Sequence, residues 1–143
     1  MRILFVDDEA AHAQVVTGLL RTVLEAEVVE RHTVSEAVEA LQAAPFDLVI
    51  MDVFIPLGDA PARVLGPRAR RYREQAQHLG GLVLLDELDL VEPAPVILAH
   101  TACTERAVFE VMGDRVRGRI QKPAGAEVLL LAVLEALGLP VAG

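Results

Sequence analysis

Short apolar runs alternate along this chain with longer segments in which apolar residues recur at helical spacing. The short runs, which predict five buried strands, are residues 3–6, 28–29, 48–51, 96–99 and 118–121. The longer segments, which predict helices, are residues 9–25, 33–44, 104–112 and 127–137. Strands that alternate with helices predict a parallel sheet with right-handed crossovers and with helices on both of its faces.

Four charged residues stand at the ends of these predicted strands. Asp7 and Asp8 follow the first strand, Asp52 ends the third, and Lys122 follows the fifth. The expected fold class is a flavodoxin-like, doubly wound α/β fold with the strand order 2-1-3-4-5, in which the first and third strands are neighbours. Because such sheets have their sites at the carboxyl ends of the strands, we expect these four side chains to converge.

The convergence of three carboxylates predicts a metal-dependent phosphoryl site. Carboxylates this close repel one another unless a cation lies among them, and Mg²⁺ is normally held by carboxylate and phosphate oxygens. Asp7, Asp8 and Asp52 are therefore the candidate Mg²⁺ ligands. A carboxylate can attack phosphorus to give an acyl phosphate, so Asp52 is the candidate nucleophile, and Lys122 would balance charge on the phosphoryl oxygens. Taken alone, the Asp pair could equally be a helix N-cap.

The composition narrows the classes of function. A length of 143 residues fits one domain, and a net charge of −8 argues against direct DNA binding, which draws on clustered cations. The only cysteine, Cys103, cannot form an internal disulfide, and Asp7 and Asp8 stand where a signal peptide would be apolar, so we expect a cytoplasmic protein. The apolar segment 124–143 is interrupted by two glutamates and a proline, so no membrane span is expected.

Taken together, the motifs resemble the receiver domain of two-component response regulators, the CheY-like class, over nearly the whole chain. The matching pieces are Val6-Asp7-Asp8-Glu9, the segment 46–56 (FDLVIMDVFIP), Gly80-Gly81-Leu82 at the start of a further helix, and Lys122-Pro123. The resemblance implies that Asp52 takes a phosphoryl group from the phosphohistidine of a sensor histidine kinase or a phosphotransfer protein, with Mg²⁺ as the cofactor. It also implies a cis Lys122-Pro123 bond, slow self-hydrolysis rather than turnover of a substrate, and signalling through a downstream protein target.

The residues at the family's activation switch depart from its pattern. Counting from the neighbouring motifs puts His100 at the hydroxyl position that ends strand four, whereas matching the family's usual Thr-Ala pair favours Thr101. Either side chain can donate a hydrogen bond to a phosphoryl oxygen. Arg119 occupies the position of the family's aromatic residue, so the usual inward swing of a ring cannot be the output.

These departures support a rival hypothesis. The chain would then be a pseudo-receiver that acts as a docking or dimerisation module without phosphorylation. A second rival is an aspartate-nucleophile phosphatase, which is disfavoured because Phe54 stands where the usual second Asp would be. We expect one receiver domain over residues 1–143, and we expect a stand-alone protein because no DNA-binding or enzymatic module follows it.

An insertion at about residues 58–79 is locally basic in this acidic chain. Its arginines are Arg63, Arg68, Arg70, Arg71 and Arg73. Pro67 predicts the first turn of a helix that runs to about Leu79. The helix is either a solvated amphipathic element or a cover over the loop that bears Asp52, where it would shield the acyl phosphate or bind carboxylates of a partner.

The last predicted helix and three scattered histidines carry weaker signals. The last predicted helix is apolar around much of its circumference, which indicates either deep burial or a homodimer face. His12, His32 and His78 lack metal-ligand spacing, so we expect them on the surface or in helices.

Overall fold

Five parallel strands form one sheet in the order β2-β1-β3-β4-β5. The computed structural model describes residues 1–58, 65–75 and 78–140, without the side chains of residues 10–12 and 73. The strands are β1 (Arg2–Val6), β2 (Glu27–Arg31), β3 (Leu48–Met51), β4 (Val96–Thr101) and β5 (Gly118–Gln121). The helices in the described ranges are α1 (Ala10–Leu24), α2 (Val34–Ala43), α3 (Pro67–Arg70), α4 (Gly80–Leu88), α5 (Arg106–Met112) and α6 (Ala126–Ala136). The predicted doubly wound fold and its strand order are confirmed.

The boundaries of α2 illustrate how local chemistry defines an element. The Thr33 hydroxyl accepts a hydrogen bond from the Glu36 N–H at 3.1 Å, and the Glu36 carboxylate accepts one from the His32 N–H at 3.0 Å. Both bonds satisfy N–H groups around the start of the helix, much as a capping box does. The helix ends at Ala43, just before Pro45, because the residue that precedes a proline is disfavoured in helical conformation.

The sheet is buried on both faces, and the two faces belong to different helices. Along β3, Leu48 and Ile50 pack in a core with α1 and α6, whereas Val49 and Met51 pack in a second core with α2, α4 and α5. All four residues are buried, as expected for a central strand in a parallel sheet. Because side chains alternate between faces, Asp52 comes next on the α1 and α6 side.

The insertion does not form the single helix that the sequence predicts. Its described part contains the four-residue helix α3 and a separate 3-10 helix (Arg73–Gln75), and Leu79 already precedes α4. The predicted helix to Leu79 is therefore wrong. Arg63 lies outside the described residues. Of the other arginines of the insertion, Arg70 and Arg71 are exposed.

The short helix α3 is bound to α4 by charge. The Arg68 guanidinium donates to Asp86 at 3.0 Å and also pairs with Asp89, while the backbone N–H groups of Arg68 and Ala69 donate to the Asp86 carboxylate at 3.3 and 3.1 Å. This carboxylate caps the first turn of α3 from a neighbouring helix. This described part of the insertion therefore packs beside α4, and Arg68 is not available as a fork for a partner.

The N-terminus of α4 lies close against the loop that follows Asp52. The Gly81 N–H donates to the Val53 carbonyl at 2.9 Å, and a Cβ added at Gly81 would lie 2.6 Å from the Asp52 carbonyl oxygen. A side chain at Gly80 would collide with the Ile55 carbonyl. The glycine pair therefore permits an approach that no other residue allows, and it sets the position of this loop.

The last helix combines burial with exposure. Leu129 and Val133 of α6 are fully buried, whereas Val128 and Leu131 are 54% and 48% exposed. A homodimer through this helix remains a prediction. Within the described ranges, none of the helices has the length and apolar character needed to cross a bilayer.

Candidate functional site

Three carboxylates meet at the carboxyl ends of β1 and β3. Val6 pairs with Met51 in the sheet, so Asp7 and Asp52 begin the two loops side by side. One oxygen from each of Asp7, Asp8 and Asp52 lies within 4.8 Å of the other two. Asp7 and Asp52 are buried and Asp8 is exposed, so the cluster has a closed floor and an open outer side.

Lys122 reaches into this cluster from the end of β5. Its Nζ lies 2.8 Å from Asp7 Oδ2 and 2.8 Å from Asp52 Oδ2, and its side chain is only 13% exposed. Burial alone would lower the pKa of Lys122, but the hydrogen bonds to Asp52 and Asp7 outweigh it and raise that pKa above its ordinary value. Lys122 is therefore a cation at neutral pH. The predicted cis bond between Lys122 and Pro123 is present.

Backbone N–H groups fix the two buried carboxylates. The Phe54 N–H donates to Asp52 Oδ1 at 3.1 Å, and the Glu9 N–H donates to Asp7 Oδ1 at 2.9 Å. Each carboxylate thus has one oxygen on the backbone and one on Lys122. This double attachment holds both carboxylates in one orientation, which a reaction at a fixed oxygen requires. The sequence motif did not reveal these backbone donors.

The charges of the cluster do not cancel. Asp7, Asp8 and Asp52 supply three negative charges against the single positive charge of Lys122. Burial raises the pKa of Asp8 above its ordinary value, and the negative charges of Asp7 and Asp52 add to this effect. The deficit of positive charge, the oxygen ligands and the open side fit a hard divalent cation such as Mg²⁺.

His100, rather than Thr101, shares a sheet face with the acidic cluster. In β4, Ala99 pairs with Met51, so His100 comes level with Asp52 on the α1 and α6 side. His100 is 8% exposed, and neither of its ring nitrogens has a hydrogen-bond partner among the described residues. Burial lowers the pKa of His100, and the charge of Lys122 lowers it further, so the imidazole is neutral at pH 7.

Thr101 lies on the opposite face of the sheet. It lines a cavity of about 350 Å³ together with Phe109 and Arg119, and its hydroxyl accepts a hydrogen bond from the Cys103 N–H at 3.2 Å. The geometry therefore favours His100 at the switch position, against the preference for Thr101 that the Thr-Ala pair suggests. A shift of one residue in strand register moves a side chain to the other face, which is why the motif alone left both open.

Arg119 interacts with a ring instead of supplying one. Its guanidinium carbon lies 4.2 Å from the centroid of the Phe109 ring on α5, which is a cation–π contact. Arg119 is exposed and Phe109 half-buried. The face formed by β5 and α5 thus presents a charge where the family has an aromatic side chain.

Comparisons with known proteins agree with this architecture. No protein-family model matches the sequence, and no curated protein matches it. Solved structures do match. A CheY-like response regulator receiver domain from Methanospirillum hungatei JF-1 has a TM-score of 0.73 at 20% identity, over 96% of this chain and 93% of the other.

Two further structures extend the comparison. The receiver domain of the sensor histidine kinase PA1611 from Pseudomonas aeruginosa PAO1, which has a magnesium ion in its active site cleft, gives a TM-score of 0.67 at 20% identity over 96% and 97% of the two chains. The beryllofluoride-activated NtrC4 receiver domain dimer gives 0.72 at 20% identity over 96% of each chain. At these identities the similarity establishes the fold. The chain has the fold of receiver domains, which confirms the suspected resemblance at that level.

Proposed function

We propose that this protein is a receiver that accepts a phosphoryl group on Asp52 from a phosphohistidine, carried by a sensor histidine kinase or a phosphotransfer protein. The observation that carries the proposal is the position of Lys122 Nζ, 2.8 Å from an oxygen of both Asp7 and Asp52. Three carboxylates share this single ammonium, so the cluster is not a balanced structural ion pair. A site that must stabilise transferred negative charge needs an ammonium beside the acceptor oxygen.

Asp52 is the nucleophile of this proposal. Its Oδ1 is bonded to the Phe54 N–H, which fixes the rotation of the carboxylate while the donor approaches. The carboxylate attacks phosphorus, and the imidazole of the donor leaves with the electron pair of the broken P–N bond. Lys122 remains next to the new acyl phosphate and balances the charge on its oxygens.

Asp7, Asp8 and Asp52 would hold Mg²⁺. When bound, the ion neutralises the carboxylates and the incoming phosphoryl oxygens. Asp7 is fixed by the Glu9 N–H and by Lys122, whereas Asp8 lies at the exposed side of the cluster. The chain thus supplies two oriented ligands and one outer ligand, with room for water on the remaining positions.

His100 is the favoured residue for the hydrogen bond that a Thr or Ser hydroxyl makes in the family. Support comes from its position level with Asp52 and from two buried ring nitrogens without partners among the described residues. A neutral imidazole has one N–H, so it can donate one hydrogen bond to a phosphoryl oxygen. Such a bond would also satisfy a polar group that is costly to leave unpaired.

The output of the signal is a change in binding to a downstream protein target. Residue 119 is an arginine, so no aromatic side chain can swing inward there. Its guanidinium contacts the Phe109 ring, and the charged face of β5 and α5 is the proposed read-out surface. Homodimerisation through α6 and a cytoplasmic location remain predictions. A single receiver domain over the whole chain also remains a prediction.

Incubation with Mg²⁺ and a small acyl phosphate, followed by intact mass measurement, tests the proposal. Wild type should gain one phosphoryl group, and omission of Mg²⁺ should abolish the gain. The matched control is Asp52→Asn, which keeps the size of the side chain and removes the nucleophile. If wild type gains no phosphoryl group, the result would instead favour a docking module that acts without phosphorylation. The altered residues His100 and Arg119 support that alternative.

A further inference from the structure

His78, at the end of the insertion, lies at the mouth of the acidic cluster. It lines a cavity of about 370 Å³ whose other lining residues are Asp8, Phe54, Ile55 and Pro56. Asp52 does not line this cavity, but two of the lining residues contact or neighbour it: the Phe54 N–H donates to Asp52 Oδ1, and Asp8 belongs to the acidic cluster. The sequence predicted only a place on the surface or in a helix for His78.

The cavity is large enough to hold water next to the acidic cluster. Its volume has room for several water molecules at about 30 Å³ each, and both Phe54 and His78 are exposed at its edge. Among the five lining residues, only Asp8 and His78 have polar side chains. Since Asp8 is a proposed Mg²⁺ ligand, the imidazole of His78 is the side chain that remains to hydrogen-bond a water molecule here.

Two backbone hydrogen bonds to one carbonyl hold the chain at His78. Its N–H donates to the Gln75 carbonyl at 2.8 Å, and the following residue, Leu79, donates to the same carbonyl at 3.0 Å before α4 begins. Upstream, α3 is bound to α4 through Arg68 and Asp86. The insertion therefore ends at a defined place beside the Asp52 loop.

We propose that His78 orients the water molecule that hydrolyses the acyl phosphate on Asp52, so that the insertion sets the lifetime of the signal. This inference rests on the proposed function. In the reaction the water oxygen forms a bond to phosphorus, the P–O bond to Asp52 breaks, and its electron pair returns to the carboxylate. The product dihydrogen phosphate keeps both protons of the water. The imidazole accepts a hydrogen bond from the attacking water and thereby aligns it.

The decay of the phosphorylated protein tests this role. The protein is phosphorylated with Mg²⁺ and a small acyl phosphate, the donor is removed, and the loss of the phosphoryl group is followed by intact mass. His78→Ala should decay about tenfold more slowly than wild type, which is about the most that one net hydrogen bond contributes. His78→Gln, which can still accept a hydrogen bond, should restore part of the rate. Arg70→Ala, a change at an exposed site in the same insertion, should decay like wild type.

The rate of phosphoryl uptake separates this role from a structural one. Uptake should be the same in His78→Ala and wild type, because the donor brings its own reacting atom and needs no water. Equal decay in the two proteins, faster decay in His78→Ala, or a parallel loss of uptake and decay would overturn the inference. Wild type that takes up no phosphoryl group would overturn the proposed function itself, and the inference with it.

Discussion

Two clusters of charged side chains occupy different places in this fold and differ in their balance. The acidic cluster, formed by Asp7, Asp8, Asp52 and Lys122, has three carboxylates for one ammonium. The insertion clamp is formed by Arg68, Arg115, Asp86 and Asp89, and it has two guanidinium groups for two carboxylates. The acidic cluster therefore has an excess of negative charge, whereas the charges of the insertion clamp balance.

The surroundings of the two clusters follow from that difference. In the insertion clamp, Asp86 accepts hydrogen bonds from the Arg68 side chain and from two backbone N–H groups, and Asp89 lies between Arg68 and Arg115. Nothing in this arrangement calls for a further ion. In the acidic cluster the pKa of Asp8 is raised by burial and by its neighbours, which indicates that the carboxylates repel one another. The balance of charge separates a structural cluster from a functional one.

Loss of Lys122 is the change with the largest expected effect. Lys122→Ala should slow phosphorylation by a small acyl phosphate about a hundredfold, since removal of one preorganised donor to a transferring group costs about that much. Initial rates are measured by intact mass at saturating Mg²⁺. Arg68→Ala, which removes a cation from the insertion clamp, is the matched control and should keep the wild-type rate. An equal loss of phosphorylation rate in both variants would show that the two clusters do not differ in function.

Loss of Asp86 should affect stability instead of chemistry. Asp86→Ala leaves the Arg68 guanidinium with Asp89 alone and frees two backbone N–H groups, so the free energy of unfolding should fall by about 2–3 kcal/mol, less than for a fully buried pair. Urea denaturation measures the change. Asp86→Asn, which keeps acceptor atoms, should lose less. A hundredfold slower phosphorylation in folded Asp86→Ala would contradict this division of roles.

The pH dependence of stability tests whether His100 resists protonation in the folded protein. Burial and the charge of Lys122 lower its pKa in the folded state, while Asp7, Asp52 and Glu9 act in the opposite direction. His100 therefore binds a proton more readily in the unfolded chain than in the folded one. Its contribution to the free energy of unfolding is complete above the ordinary histidine pKa of 6.5 and is lost as the pH falls below that value.

His100→Asn should flatten the decline in unfolding free energy between about pH 7 and pH 5, measured without Mg²⁺. Identical slopes in His100→Asn and wild type would show that His100 does not resist protonation in the folded state.

The smallest expected effect is a gain in stability at the acidic cluster. Asp8→Asn removes one of three mutually repelling charges, so without Mg²⁺ the free energy of unfolding should rise by about 0.5 kcal/mol, a value typical of exposed charges. Added Mg²⁺ should stabilise wild type but not the variant. A loss of stability in Asp8→Asn without Mg²⁺ would mean that the carboxylate has a structural role.

The sequence predicted most of the fold because its periodicities are strong. The run from Leu48 to Met51 is uninterrupted, and β3 occupies those residues. The capping residues Thr33 and Glu36 predicted the start of α2. The convergence of Asp7, Asp8, Asp52 and Lys122 followed from the carboxyl ends of neighbouring strands, which is a property of the topology and not of any local pattern.

Other features depended on contacts that local patterns do not carry. The bonds between Arg68 and Asp86 join residues 18 apart across two helices, so the sequence predicted one long helix where α3 and a 3-10 helix exist. The choice between His100 and Thr101 depends on a one-residue register that fixes the sheet face. The position of His78 was missed because the sequence predicted one helix from Pro67 to about Leu79, whereas the described residues form α3 and a 3-10 helix before α4.

The location of the phosphoryl group on the chain tests the assignment of Asp52 as the nucleophile. Wild type is treated with Mg²⁺ and a small acyl phosphate as donor, and the donor is removed. The aspartyl phosphate on the protein is then reduced with borohydride, and the peptides are sequenced by mass spectrometry. The reduced aspartate should be Asp52, and Asp52→Asn should yield no reduced aspartate. Reduction at Asp7 or Asp8, or no reduction at any aspartate, would contradict that assignment.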